Sequence, residues 1–503
     1  MPTDTQTRQK RLFKNGAYSL LSWLFPLLPA FVVTPIVVKS LGNEIYGVYA
    51  VVLGFISYFF TFGIGKAAAK YIAEYRASGE TEKISDIISS TIILSYLLGI
   101  IGILAVSLSA KIIVTDVLRI SQPLQDTAVT ALYLACAHIL LLMLMQIFQF
   151  VLQGLQRFDR YLMLTNLNSL LLNLGIVLLA LNGYGVIALL IWTLIAACFI
   201  CILSVVVALK LLPEFRFSIT VSRGAWQAVW RYALSIIAYQ IFGNILLLFE
   251  RGWIMRKFGA EALTYYAVPM TLGIYIQTFT TSLVFSTFPM VNELLAEKEK
   301  LVTLYKKSTK LILMLVVFAV VSVVVEGKLF LGLWMNDEFA RMSYLLLVTH
   351  VFTFSLLAVF TIAWQVAEGF RYASLNAVAT FVWMVISILL MVILADQFES
   401  VGVAVARFAG CIVFIPLILY VEKRFLSGIF WKFWGGMAAR ILLASTFTYM
   451  SEWLILSYLP REWPAFLASV FVGLVTYVAV LVICGFFDAD DRQIIRNLLV
   501  RSS

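Results

Sequence analysis

The side chains able to do chemistry in this sequence are polar and charged groups set at helical spacing inside long apolar runs. Gln146, Gln149 and Gln153 stand at i, i+3, i+7, and Asn166, Ser169 and Asn173 repeat that spacing. Gln240, Asn244 and Arg251 fall within about 40° of one another on a helical wheel, and Thr361, Trp364, Gln365 and Glu368 share a face in the same way. One such stripe is as consistent with hydrogen bonds between helices as with a binding surface. Four stripes together point to a hydrated interior, with Gln149, Gln153, Gln240, Asn244, Trp364 and Gln365 as candidate lining. Three cations lie in the same apolar runs: Lys66, Arg251 and Arg407. A charge at bilayer depth costs ~2.5–3.5 kcal/mol on insertion scales, so it needs a partner, water or a ligand. Cations in a cavity suit an anionic substrate, phosphate above all. The alternatives are that Arg251 is neutralised by its neighbour Glu250 and that Lys66 reaches the interface with its head group. Glu250, and after it Glu368, are the ionisable groups best placed to bind and release an ion, as coupling to a gradient requires. His138 and His350, on the fourth and tenth spans, read as packing residues rather than a proton relay.

Elements that could hold these groups follow from composition. Hydrophobic residues make up 62% of the chain and charged residues 13%, with a mean hydropathy of +0.97. A soluble domain has about 45–50% apolar and 25% charged residues. The excess runs the whole length, which excludes a soluble enzyme on a single anchor. Stretches of about 20 apolar residues, enough to cross a bilayer, occur near 17–40, 44–65, 86–108, 127–152, 161–181, 185–209, 229–254, 262–290, 310–334, 342–367, 372–395, 401–421, 433–457 and 464–487. An all-α integral membrane protein of about fourteen spans is therefore expected. The first run follows Arg8, Lys10, Arg11 and Lys14 but is too long for a signal peptide and lacks a small-residue cleavage site. Cys136, Cys198, Cys201, Cys411 and Cys484 all fall inside apolar runs and read as packing residues. Lys and Arg collect in the N-terminal tail, in 66–83, in 210–231, in 298–310 and in the C-terminal tail, which places both termini in the cytoplasm. That bias accounts for the net charge of +10 without nucleic acid.

The chain also repeats itself. Lys39-Ser40-Leu41-Gly42-Asn43-Glu44, continuing to Tyr49-Ala50-Val51, recurs 217 positions later as Arg256-Lys257-Phe258-Gly259-Ala260-Glu261, continuing to Tyr266-Ala267-Val268. Lys111 matches Lys328 and Gly185-Val186 matches Gly402-Val403 at the same offset. The expected domains are thus an N-lobe over 1–217 with spans one to six, a C-lobe over 218–430 with spans seven to twelve, and a further helix pair with a tail over 431–503. Six spans per half makes the halves parallel repeats, a plan that places substrate between the halves and alternates access by rocking. Lys39 and Arg256 mark matching helix ends as interfacial anchors. Pro26, Pro29 and Pro35 interrupt the first span, and Gly252 stands at the repeat position of Pro35, suggesting matched bends.

The run from Pro35 to Tyr49, with Phe62-Gly63-Ile64-Gly65-Lys66 and Gly154-Leu155-Gln156-Arg157-Phe158-Asp159, resembles the polysaccharide-transporter branch of the multidrug/oligosaccharidyl-lipid/polysaccharide exporter superfamily, which includes Wzx-type flippases. The resemblance covers essentially the whole chain. It implies two parallel six-helix lobes and a flippase that moves undecaprenyl-pyrophosphate-linked oligosaccharide from the inner to the outer leaflet of a bacterial inner membrane. Membrane lipids and polysaccharide-assembly proteins are the implied partners, and a monomer the implied state. No cofactor is expected; any energy would come from a Na+ or H+ gradient or the membrane potential. Wzx-type proteins are described with twelve spans. The added pair is similar to that of the lipid II flippase, whose first-span arginines this sequence lacks.

Two rivals belong to other classes. A multidrug or cation antiporter on the same fold needs acids deep in a lobe, and the sequence offers few. A membrane glycosyltransferase or polymerase needs an acidic catalytic loop, whereas the outer loop 109–126 holds only Asp116 and Asp126, without metal-ligand spacing.

Overall fold

In a bilayer each backbone amide must find its partner within the protein, and the helix does this residue by residue. The computed structural model describes residues 31–59, 65–80, 82–219, 222–284, 291, 294–295, 297–370 and 372–488, and these are helical nearly throughout. The basic N-terminal tail, Pro26, Pro29, the segment 60–64 and the C-terminal arginines Arg492, Arg496 and Arg501 lie outside the described residues. The helices are α1 (Phe31–Leu41), α2 (Asn43–Phe59), α3 (Gly65–Ser78), α4 (Lys83–Ile112, prolonged by a π-helical turn to Val117), α5 (Gln125–Gly154), α6 (Phe158–Leu181) and α7 (Val186–Leu211). There follow α8 (Arg223–Leu283), α9 (Lys298–Trp334), α10 (Asp337–Gly369), α11 (Ala373–Gly410), α12 (Phe414–Phe425), α13 (Trp431–Tyr458) and α14 (Trp463–Ile483). Two of these are pairs of limbs joined at a residue with non-helical backbone, Gly259 in α8 and Glu399 in α11. Taken limb by limb, with the polar α3 set aside and α12 completing α11, they supply a helix for each of the fourteen expected spans. Among the described residues, eight helical stretches are apolar and long enough to cross a membrane by length and composition alone.

Packing divides the chain into two compact units. One comprises Met1–Val268 with Ala373–Gly410, the other Pro269–Tyr372 with Cys411–Ser503. Within the first, the sequence repeat is visible in the backbone. Gly42 and Gly259, 217 positions apart, have φ of 78° and 85°. Each ends one helical segment and starts the next in a conformation that side chains with a Cβ rarely adopt. The two copies also meet. Thr264 donates to the Asn43 carbonyl at 2.5 Å, and the Asn43 amide donates to the Tyr265 hydroxyl at 2.9 Å. Gly47 lies so close to the Ala260 backbone that a Cβ there would collide with its carbonyl. Matched bends therefore occur at the glycine pair. Pro35 lies within α1, and α8 runs on through Gly252. Glycine with positive φ breaks the axis outright, whereas a lone proline or a glycine in helical geometry leaves it continuous.

In the second unit, Glu422 of α12 accepts from the Tyr305 hydroxyl at 2.9 Å, the Trp434 indole at 2.8 Å and the Phe430 amide at 3.0 Å. One fully buried carboxylate so pins α9, α12 and the start of α13. Further along, Phe318 of α9 packs against Tyr477 of α14 with ring centroids 5.5 Å apart.

Candidate functional site

The first limb of α8 carries the densest intramembrane chemistry. Consecutive residues on a helix diverge by about 100°, so Glu250 and Arg251 face different neighbours instead of neutralising each other side by side. Glu250, fully buried, accepts from the Arg407 guanidinium and the Tyr266 hydroxyl. Arg407 is itself buried, its guanidinium lying 5.3 Å from the centre of the Trp383 ring, whose indole donates to the Arg407 carbonyl at 3.3 Å. The predicted binding residue Arg407 is thus engaged by the predicted coupling residue Glu250. Buried ions of this kind are stable only when paired and hydrogen-bonded.

Arg251 turns towards α2, donating to the Ala50 carbonyl at 2.7 Å and packing against Gly54, where a Cβ would stand 3.1 Å from the guanidinium. It borders a cavity of about 310 Å³ that is otherwise apolar, walled by Val51, Leu118, Leu248 and Phe249 among others. Two guanidiniums against one carboxylate give the cluster a formal charge of +1. Gln240 and Asn244, about three and two turns before Arg251 on the same limb, are half-buried.

The remaining predicted residues are more dispersed. Gln149 and Gln153 are half-buried near the end of α5. There the chain reverses through Gln156, with φ of 58°, into the Arg157–Asp159 pair. Arg157 holds Asp159 by two hydrogen bonds, 3.0 and 2.9 Å, and the guanidinium keeps that carboxyl below its ordinary range. Lys66 is exposed in the first turn of α3. In the second unit Trp364 donates to Glu368 at 2.8 Å on α10, and Gln365 beside them is buried. His138 and His350 are buried, the latter with its ring 6.4 Å from that of Phe354.

Sequence reasoning passed over Tyr266, Trp383 and the backbone of Ala50. Tyr266 had a signal, since it is the repeat copy of Tyr49, but nothing in the sequence matched it to Glu250. It also underrated the acids. Glu250, Glu326, Glu422 and Glu452 are all buried, so the expectation of few deep carboxylates is corrected. Glu326, Glu422 and Glu452 went unremarked because they lack the helical spacing that marked the stripes.

The architecture can be set beside known proteins on this geometry. Its fold is that of multidrug/oligosaccharidyl-lipid/polysaccharide exporters. The structure of the lipid II flippase MurJ in an inward-closed conformation superposes with a TM-score of 0.68, covering 94% of this chain and 98% of that one at 14% identity. An inward-facing multidrug MATE transporter gives 0.65, covering 82% and 94% at 15% identity. A transporter of the same superfamily from Pyrococcus furiosus, described as having a binding pocket of reversed polarity, gives 0.61 with 82% and 95% covered at 15% identity. The chain belongs to the family described as polysaccharide biosynthesis protein, whose sequence profile matches residues 12–295, more than half of its length. No curated protein sequence matches it significantly.

Proposed function

We propose that this protein is a flippase that carries undecaprenyl-pyrophosphate-linked oligosaccharide from the inner to the outer leaflet of a bacterial cytoplasmic membrane, for surface polysaccharide assembly. The observation that carries the reading is Arg251, a buried guanidinium bordering a cavity in a protein of a polysaccharide biosynthesis family. An apolar wall with one cation suits a diphosphate carried on a lipid tail. Both termini lie in the cytoplasm in this reading. The two repeat halves, 1–217 and 218–430, alternate access, and 431–503 is an added helix pair. Arg251 contacts the diphosphate directly. Arg407 serves through Glu250, so that breaking or remaking their ion pair is the step coupled to Na+, H+ or voltage. Lys66, Gln149, Gln153, Gln240, Asn244, Trp364 and Gln365 supply polar contacts along the path, and Glu368 is the second candidate for ion coupling.

Reconstitution into liposomes with a fluorescent lipid-linked oligosaccharide tests this. Translocation with the sugar unchanged is expected, and Arg251→Ala should reduce the rate at least tenfold while membrane insertion is retained. Normal flipping by that variant would remove Arg251 from the path, and chemical alteration of the sugar would favour a transferase. A multidrug antiporter is the second reading, favoured by the MATE fold and the four buried acids. Efflux of cationic dyes by the same liposomes, without flipping, would establish it. If Glu250→Gln leaves ion- or voltage-dependence intact, the pair has no coupling role.

A further inference from the structure

Two carboxylates that the transport reading leaves unused meet in the second unit. Glu326 lies eight residues before the end of α9 and Glu452 six before the end of α13, roughly 12 and 9 Å inside the helix ends. Both are buried, at 2% and 0% exposure. Ser322, one turn before Glu326 on the same helix, donates to a Glu452 carboxylate oxygen at 2.7 Å. That places the Glu452 carboxylate within about a helical turn of Glu326, near enough for the two to interact electrostatically. From α14, Ser469 donates to the Glu452 carbonyl at 3.1 Å and is near enough to Glu326 to interact. Gly473 leaves the room that the Glu452 carboxylate fills.

Among the described residues, these groups have no counter-charge. Neither Glu326 oxygen and only one Glu452 oxygen has a well-formed hydrogen bond. The Tyr477 hydroxyl, two turns beyond Ser469 on that face of α14, is wholly buried and likewise unmatched. Helical side chains lean towards the N-terminus, so Tyr477 leans towards Gly473 and the carboxylates. The basic side chains at this end of the packed helices, Lys328 of α9 and Arg341 of α10, are exposed, as are Arg440 of α13 and Arg461 before α14. Of the neighbouring phenols, Tyr344 of α10 donates to the Val324 carbonyl and Tyr449 of α13 is exposed.

Two adjacent carboxylates in an apolar environment cannot both stay ionised without a cation. We propose that Glu326 and Glu452, with Ser322, Ser469 and Tyr477, form a binding site for one small monovalent cation, a proton or Na+, where α13 and α14 join α9. The site is separate from the Glu250–Arg407 pair, and its occupancy governs how the added helix pair packs on α9. Losing the cation leaves two repelling charges at that contact.

Infrared spectroscopy of the full-length protein in nanodiscs tests this without reference to cargo. With Na+ absent and pH near neutral, a protonated-carboxyl stretch is expected that is lost in both Glu326→Gln and Glu452→Gln. Loss of the wild-type band on adding Na+ at constant pH would identify the site as one where Na+ replaces the proton; a band insensitive to Na+ would identify the proton alone. If either glutamine variant fails to fold, Glu452→Asp should shift the band. A wild-type spectrum without any such band, in Na+-free and Na+-containing buffer alike, would overturn the proposal, as would variants with an unchanged band.

Discussion

Arg407 and Glu250 each make the other tolerable. Removing one partner of a buried ion pair typically costs about 3–5 kcal/mol because the other is left charged and dry, whereas replacing both with apolar or neutral groups is often close to neutral. Arg407→Met is therefore expected to lower thermal stability in detergent sharply, and Glu250→Gln added to it to restore most of the loss. Additive losses would mean that the two side chains act independently. Arg251 gives the opposite outcome. One of its contacts is a backbone carbonyl at the edge of a cavity, so its removal should cost less stability than that of Arg407 and reduce transport.

At the scale of elements, the pair of positive-φ glycines and the contact at Gly47 decide how the repeat copies seat. Gly47→Val would drive two methyl groups into the Ala260 backbone, and overpacking of this kind typically costs about 1–3 kcal/mol. A lowered melting temperature is expected, with Gly42→Ala milder, since it strains φ without a clash. Much of this level was legible in the sequence. Apolar run length shows where helices lie, and the repeat pairs Gly42 with Gly259. What was not legible is partner choice. Helical period shows which side chains share a face, as with Gln240, Asn244 and Arg251, but contains nothing about which face of another helix is opposite. Hence the one partner the sequence offers Glu250 is its neighbour Arg251, and nothing in it points to Arg407, 157 residues away. For the same reason Glu326 and Glu452, each isolated in its own helix, gave no sign of being adjacent.

For the whole molecule, the distribution of Lys and Arg makes a claim about sides. In a variant whose five native cysteines are replaced, Ser78→Cys, at the end of α3, should react with a membrane-impermeant thiol reagent only after cells are opened. Asn182→Cys, between α6 and α7, should react in intact cells; both positions are exposed. The reverse pattern would invert the topology and with it the direction of transport.

The span of the Glu250–Arg407 bond also has a consequence in time. At about 5–20 residues per second of synthesis, the 157 residues between them amount to roughly 10–30 s. For that interval α8 has left the ribosome while its guanidinium partner has yet to be made. The nascent chain must shelter a carboxylate at bilayer depth, helped by Tyr266, which follows only 16 residues behind. A polypeptide that stops short of Arg407 never completes the bond and keeps an uncompensated carboxylate at bilayer depth.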